Sequence, residues 1–454
     1  MNKKLTAAFI ISILAAFFVP ITAYAEFDQF IRVGLVQNFT NQNSIRVNNT
    51  SIFAGMSVDE GFMPLDELHS PGGFTVRASG GGVEILSGNI VMYTFSGQTA
   101  AQIMASDGGD GAGSIDLGTH RYRGVMEFVP SGGRISAVNI LSIEEYLFGV
   151  LPAEMSPSFQ PEALKAQAVA SRSFSFHQVV QSKHPNQPFD ICDTTCCQVY
   201  RGAGSEDART NEAVLATYGL MLFFNGNVIS AHYFSSSGGA TENSEDIWWE
   251  ARAYLRSVNE ITEHNPMIWE RTYTWAQLTN AAAHHGARIG TVEGVSISRL
   301  SPGGRAHELT FHGTAGTWST PRSVGVTGFF RPIGGTLPSR NFQMVGGGHT
   351  TPTVYVTDGF QTVSAPLNSF YATCLNGAIA RVHHAYIYDG ETTRRINSSP
   401  TIVRGGAGIT LHGRGWGHGV GMSQLGAEGM ARLGHTFEEI LHHYYQDIEI
   451  RRNH

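Results

Sequence analysis

Pro161-Glu162-Ala163-Leu164-Lys165-Ala166-Gln167-Ala168-Val169-Ala170-Ser171-Arg172-Ser173-Phe174 is the stretch on which the fold turns. Ala, Leu, Glu, Gln and Lys are strong helix formers. Pro161 suits a first helical position, where its missing N–H costs nothing. The many Ala and Ser side chains let other elements pack close, so the stretch predicts a central helix.

The elements on either side are mostly strands. Upstream, a helix is expected after Ser142, with Glu144 and Glu145 in its first turn. Before it, residues 30–35, 74–77, 82–86, 90–93, 122–129 and 135–139 read as strands between Gly and Ser turns. Downstream, residues 216–224 and 228–234 flank Asn225-Gly226-Asn227, a good hairpin signal. A short helix is expected over 274–285 and strands over 293–345, while 364–398 show no clear pattern. The tail offers a strand at 409–412, a glycine-rich loop, a helix over 422–433 and a last helix. That last helix is opened by the capping box of Thr436 and Glu439. No internal repeat is visible.

The expected fold is α+β, with β-rich domains around a central helix and a substrate cleft between subdomains. The divisions are a signal peptide (1–25), a β-rich N-terminal region (26–120) and the first part of a core (121–260). A β-rich inserted subdomain (261–350) follows. Residues 351–454 form the C-terminal part of the core, with the glycine-rich loop and terminal helices.

Composition agrees with a large folded chain. At 454 residues it exceeds what one hydrophobic core supports, and 42% hydrophobic content excludes a disordered polymer. The 53 glycines follow no collagen period. A net charge of −7 argues against nucleic acid as a partner. Lys3 and Lys4, an apolar run over 5–19 and Ala23-Tyr24-Ala25 have the form of a cleaved export signal. The apolar run is too short to span a bilayer comfortably. The expected mature protein is exported, extracellular or wall-associated, with no stable membrane insertion. It would be membrane-anchored if the signal were retained.

Several residues could carry chemistry. Glu154 stands among Val150-Leu151-Pro152-Ala153 and Met155. A carboxyl held against apolar walls is harder to ionise and can serve as a general acid near neutral pH; the other reading is a cap or surface ion pair. Lys165 and Arg172 are seven residues apart on one helix face, fit to hold an anion or to be solvated. His184, Cys192, Cys196 and Cys197 offer three sulfurs and an imidazole, suited to tetrahedral Zn²⁺. An exported chain could instead form disulfides, such as Cys192–Cys196 or one using Cys374. The segment containing Ser235, Ser236, Ser237 and Gly238 is dense in hydroxyls and could bind a sugar or simply turn. A serine triad there lacks a nucleophile-elbow motif. In Gly413-Arg414-Gly415-Trp416-Gly417-His418-Gly419-Val420-Gly421, the dinucleotide fingerprint fails. Trp416 offers a stacking face and His418 a titratable ring.

Four blocks in order resemble the SpoIID/LytB family of stage II sporulation protein D and amidase enhancer. They are 146–155 running into 162–172; Cys192-Asp193-Thr194-Thr195 with Gln198-Val199-Tyr200; Tyr233 to Gly239 with Thr241-Glu242-Asn243; and Gly413 to Gln424 with Gly426-Ala427. The resemblance implies a peptidoglycan lytic transglycosylase with Glu154 catalytic. Lys165 and Arg172 would orient Glu154 or bind substrate carboxylates. Ser235, Ser236, Ser237, Gly238, Trp416, His418, Ser423 and Gln424 would line the glycan cleft. Some family members hold zinc through a Cys/His cluster, which maps here to His184, Cys192, Cys196 and Cys197. Cys196-Cys197 stands where a His-Cys pair is expected. Such a Zn²⁺ would be structural, since all its ligands would be protein. The implied partners are peptidoglycan glycan strands. The enhancer branch implies a cell-wall amidase partner and a non-catalytic role.

Overall fold

The computed structural model describes residues 30–58, 61–80, 82–97, 100–106, 113–260, 262–263, 266–346 and 402–452, together with six strand backbones between 353 and 396. The expected signal segment and Cys374 lie outside the described residues, as does most of the 364–398 stretch.

Helices and strands mix in an α+β arrangement. A seven-stranded sheet runs in the order Ile191–Cys192, Phe30–Gly34, Arg134–Ser142, Val125–Ser131, Ala101–Ala105, Ser51–Val58, Gly61–His69. The expected division at residue 120 therefore cuts through a sheet. Strands from both sides of that point pair directly, as in Met126 opposite Ile103. A four-stranded sheet (Ser44–Val47, Phe74–Ser79, Gly82–Ser87, Ile90–Phe95) packs on the first. The two sheets bury Val47, Phe74, Val76, Ile85, Ile103 and Phe128 in one core.

Helix α1 (Ile143–Glu154) starts at a capping box formed by Ser142 and Glu145. Helix α2 (Pro161–Val180) opens with Pro161 in its first turn. Residues 163, 164 and 166–173 of α2 are all buried, because other elements surround it. Those elements are α1, α3 (Ala208–Ala216), α7 (Gln424–Arg432), α8 (Phe437–Tyr444) and the strand Leu220–Phe224. The small side chains of α2 permit these approaches. Asn225 and Gly226 both take positive φ in the predicted tight turn. The strand expected over 228–234 is instead two short pieces, Asn227–Val228 and Tyr233–Phe234, joined to different sheets. Between them Ser230 bonds to side chains, while the His232 carbonyl accepts the Met422 N–H at 3.1 Å.

A second core gathers Trp269, Leu278, Phe311, Phe329, Phe330 and Leu411. Its strands include Ile268–Thr274, Val292–Leu300, Ala306–Gly313 and Phe342–Val345, with α5 (Trp275–His284) and α6 (Val326–Phe329) packed against them. A four-residue α4 (Ser244–Ile247) precedes this lobe. The tail strand Gly408–Arg414 lies between Ile268–Thr274 and Phe342–Val345. The assignment of all of 351–454 to the main core is thus corrected. Ile409 and Leu411 are buried in this second core, and their alternation with Thr410 and His412 is satisfied there. Among the described residues, no helix is long and apolar enough to cross a membrane.

Candidate active site

Glu154 is the last residue of α1, and no basic residue lies in that turn to offset the negative end of the helix. Its carboxyl is half-buried and accepts the backbone N–H of Val199 at 3.1 Å. Burial pushes its pKa above the ordinary carboxylate value, opposed by the Val199 amide and by a hydrogen bond from Tyr233. The Tyr233 phenol is in turn fixed by Gln198, whose Nε2 donates to it at 2.9 Å. Gln198 is saturated: its Oε1 accepts Tyr146 Oη at 3.3 Å and also Ser175 Oγ, and its Nε2 reaches the Ser171 carbonyl at 3.4 Å. Gln167 donates to Ser171 Oγ at 2.9 Å and accepts from Gln424 at 3.4 Å. Residues from all four sequence blocks thus meet in one buried polar network behind Glu154.

The two loops are zipped together. Tyr233–Phe234 pairs in parallel with Met422–Ser423. Trp416 N donates to Ser236 O at 2.8 Å, and Ser236 N returns a bond to Trp416 O at 3.1 Å. The glycines make this possible: a Cβ at Gly421 (φ 78°) would lie 2.0 Å from the His232 carbonyl oxygen. Ser237 Oγ and the amides of Ser237 and Gly238 all donate to Glu263, at 2.9, 3.1 and 2.6 Å.

These contacts correct several expectations about substrate binding. Ser236, Ser237 and Gly238 are buried, and their polar groups shape the loop. Ser237 faces a carboxylate rather than an imidazole base. Ser423 is buried as the N-cap of α7, and Gln424 is buried against Gln167. His418 Nδ1 accepts the Val420 N–H at 3.1 Å. Its pKa is pushed down to about 4 by burial, with the Arg305 cation nearby. The ring is therefore neutral at physiological pH, and it is half-buried. Ser235 and His418 remain half-buried and Trp416 is 46% exposed, so these three stay within reach of a ligand.

The expected pair of cations is also not an anion site. Arg172 is fully buried and forks onto Glu144, at 2.8 and 2.6 Å, with further bonds to the carbonyls of Leu220 and Val214. Lys165, near the start of α2, pairs with Glu162 at 2.7 Å, and Glu162 also accepts the first N–H of α8. Both residues lie on one helix face, but α2 runs from surface to core between them.

His184, Cys192, Cys196 and Cys197 do converge. One ligand atom from each lies within 4.8 Å of all the others. Cys192 and Cys197 sulfurs are 3.7 Å apart, far from a disulfide bond, and His184 Nε2 is 3.3 Å from Cys197 Sγ. Tetrahedral ligation with Zn–S near 2.3 Å needs sulfurs about 3.8 Å apart, so the donor set fits that metal. All three thiols are free. The hydrogen bond between the two sulfurs holds the Cys192 thiol well below its ordinary value and, with burial, pushes the Cys197 thiol up. The chain leaves this cluster directly into Gln198 and Val199, which hold the Tyr233–Glu154 pair. One cavity, of about 380 Å³, adjoins this cluster through His184 and includes Arg32 and Asp190, and another, of about 330 Å³, lies in the second lobe and includes His284, His285 and Arg331.

Tyr233, Gln198, Gln167, Glu263 and Arg305 were not singled out by sequence reasoning. Gln167, Gln198 and Tyr233 lay inside quoted blocks, but nothing local marks a residue that acts across the fold.

Comparison with known proteins gives a match to the SpoIID model, stage II sporulation protein, over residues 131–224. Stage II sporulation protein D of Bacillus subtilis (strain 168) is 30% identical over 328 residues, 69% of this chain and 76% of that protein. An uncharacterized protein of Brachyspira hyodysenteriae is 28% identical over 331 residues, 72% of each chain. The amidase enhancer of Bacillus subtilis is 28% identical over 321 residues, 66% of this chain and 39% of that larger protein.

Proposed function

Because the chain belongs to the SpoIID family of stage II sporulation proteins, we propose that it is an exported lytic transglycosylase of peptidoglycan, with Glu154 as the catalytic acid and base. The observation that carries this reading is the carboxyl of Glu154. It is half-buried at a helix C-terminus, raised in pKa, and oriented by the Val199 amide and the Tyr233 phenol.

Protonated Glu154 gives its proton to the glycosidic oxygen between N-acetylmuramic acid and N-acetylglucosamine, and the C1–O bond breaks. The resulting carboxylate then takes the proton of the muramyl C6 hydroxyl. O6 attacks C1 and closes a 1,6-anhydro ring. The nucleophile comes from the substrate, so no second enzymatic carboxylate is required, unlike most glycosidases. The glycan lies in a cleft beside the Ser235 and Trp416 loops.

The His184, Cys192, Cys196 and Cys197 cluster would hold a structural Zn²⁺. With four protein ligands such a metal would supply no open position for chemistry and would instead fix the loop that carries Gln198 and Val199.

Likeness to a protein named amidase enhancer supports a second reading, a wall-bound protein that stimulates an amidase without cleaving glycan. Incubation of the protein with unsubstituted glycan strands separates the two. The expected result is 1,6-anhydro products from wild type, and a loss of at least about a hundredfold in Glu154→Gln. Products formed equally by Glu154→Gln would refute the assignment. No products from either protein would favour the enhancer.

A further inference from the structure

The chain's six tryptophans divide by location. Trp269 belongs to the core of the inserted lobe, and Trp275 and Trp318 pack against it. Trp248, Trp249 and Trp416 do not, and Trp248 packs near His418. The Trp248 ring lies 5.1 Å from His418 and 4.4 Å from His232, centroid to centroid. His232 is 5.3 Å from Phe174, and Phe174 is 6.3 Å from Tyr233, the phenol that holds Glu154. A row of rings therefore leads from the Glu154 carboxyl to Trp248, and Trp249 is the next residue in the chain.

Trp249 is 76% exposed. A lone exposed apolar side chain needs no explanation, but this one is held in place. The Arg322 guanidinium lies 4.3 Å from the centre of its ring, on one face. Arg322 itself donates to the carbonyls of Glu245 and Trp248. One side of the indole is thus braced by a fixed cation, and much of the rest meets solvent. Polar groups flank the row. Arg252 bonds Tyr254 at 2.9 Å and Glu250 at 3.0 Å, and the buried Nδ1 of His177, in the same electrostatic neighbourhood, has no hydrogen-bond partner.

A rigid aromatic face that costs no ordering, with hydrogen-bonding groups at its edge, suits a ligand with an apolar face and a polar rim. A pyranose is such a ligand: its axial C–H groups form the face and its hydroxyls the rim. A peptide or lipid partner would call for a broader apolar patch, and the neighbours of Trp249 are Glu250, Arg252 and Arg322.

We propose that Trp249, braced by Arg322 and continuous with Trp248, is an accessory sugar-stacking platform that grips the glycan strand away from the bond at Glu154. It makes the protein selective for long strands. This rests on the reading of the protein as glycan-binding, but not on catalysis.

The test measures binding of glycan oligosaccharides of graded length by calorimetry, in a Glu154→Gln background so that substrate stays intact. The parent binds long oligosaccharides more tightly than short ones. Trp249→Ala lowers long-strand affinity about fivefold to tenfold and flattens the length dependence, whereas Trp249→Tyr keeps most of it. Equal long-strand affinity in Trp249→Ala and the parent would overturn the platform. So would equal losses in the Ala and Tyr variants accompanied by a lowered Tm, which marks a fold defect. Failure of the catalytic reading looks different: wild type then forms no 1,6-anhydro ends, yet its grip on long strands still depends on Trp249.

Discussion

Two bonds hold the Glu154 carboxyl, and they have opposite consequences for catalysis and for proton affinity. The Val199 amide and the Tyr233 phenol orient the carboxylate, but both favour its ionised form against the dominant effect of burial. Removing the phenol therefore raises the pKa of Glu154 further. The acid step needs Glu154 protonated, so the alkaline limb of the kcat/KM profile should move to higher pH in Tyr233→Phe. The rate at the optimum should fall about 10–100-fold, because the second step needs the same carboxylate well placed. A pH–rate profile of this variant checks both signs, and an unshifted alkaline limb would remove Tyr233 from the acid's environment. Glu154 itself was legible as an acid among apolar residues. Tyr233 and Gln198 were not, since their partners lie 79 and 35 residues away along the chain from Glu154 and Tyr233 respectively.

At the scale of elements, α1 and α2 are joined by the Arg172–Glu144 pair, buried and forked. Removal of one member leaves the other charge stranded in the core. Arg172→Met should destabilise the protein by about 3–5 kcal/mol, and adding Glu144→Leu should restore much of that. Urea denaturation of the single and double variants measures it, and glycan affinity of the folded fraction should follow wild type. A drop in affinity that the double variant does not repair would return Arg172 to the binding site. The capping box predicted at Thr436 and Glu439 formed as expected, because caps are local hydrogen-bond patterns. The role assigned to Arg172 failed because periodicity tells which side chains share a face, not how deep that face lies.

The loop that carries the Cys/His cluster is an element of the same kind, since Cys197 is followed at once by Gln198 and Val199. With the metal bound, the protein should contain about one Zn²⁺ per chain. Chelation should lower Tm and kcat together, while glycan affinity changes less. Elemental analysis and paired Tm and rate measurements test this. Zinc well below one per chain, or a kcat indifferent to chelation, would separate the cluster from Glu154. Convergence of His184 with three sulfurs was legible from residue types, although the irregular spacing left a disulfide equally open. Geometry favours metal chemistry because the sulfurs meet without bonding.

For the whole molecule, the question is whether the inserted lobe merely hangs from the main core. Glu242 and Arg305 suggest that it does not. Glu242 has no exposed surface, and its backbone N–H bonds Gly419 O at 2.8 Å. Its carboxylate meets Ser301 at 2.6 Å, Arg340 at 3.2 Å and Arg305 at 3.4 Å. Arg305 also donates to the carbonyls of Ser237 and Ala240, at 2.6 and 2.9 Å, and a Cβ on Gly419 would lie 2.7 Å from its Nη1. Two cations from the lobe thus fasten both site loops through one carboxylate. That connection was invisible in sequence, because the partners lie about 60 to 100 residues apart and the strand Gly408–Arg414 returns to the lobe from the tail. Truncating Glu242 to Ala leaves two guanidiniums buried without their counter-ion, which should cost about 3–5 kcal/mol. The loss should be uneven, since the second core has its own apolar packing. Wild type should unfold in one calorimetric transition, whereas Glu242→Ala should show two, the loops becoming sensitive to protease before the lobe melts. A single transition in the variant, merely shifted to lower temperature, would mean that the lobes are coupled by their apolar contacts and that the buried ions only fill the seam.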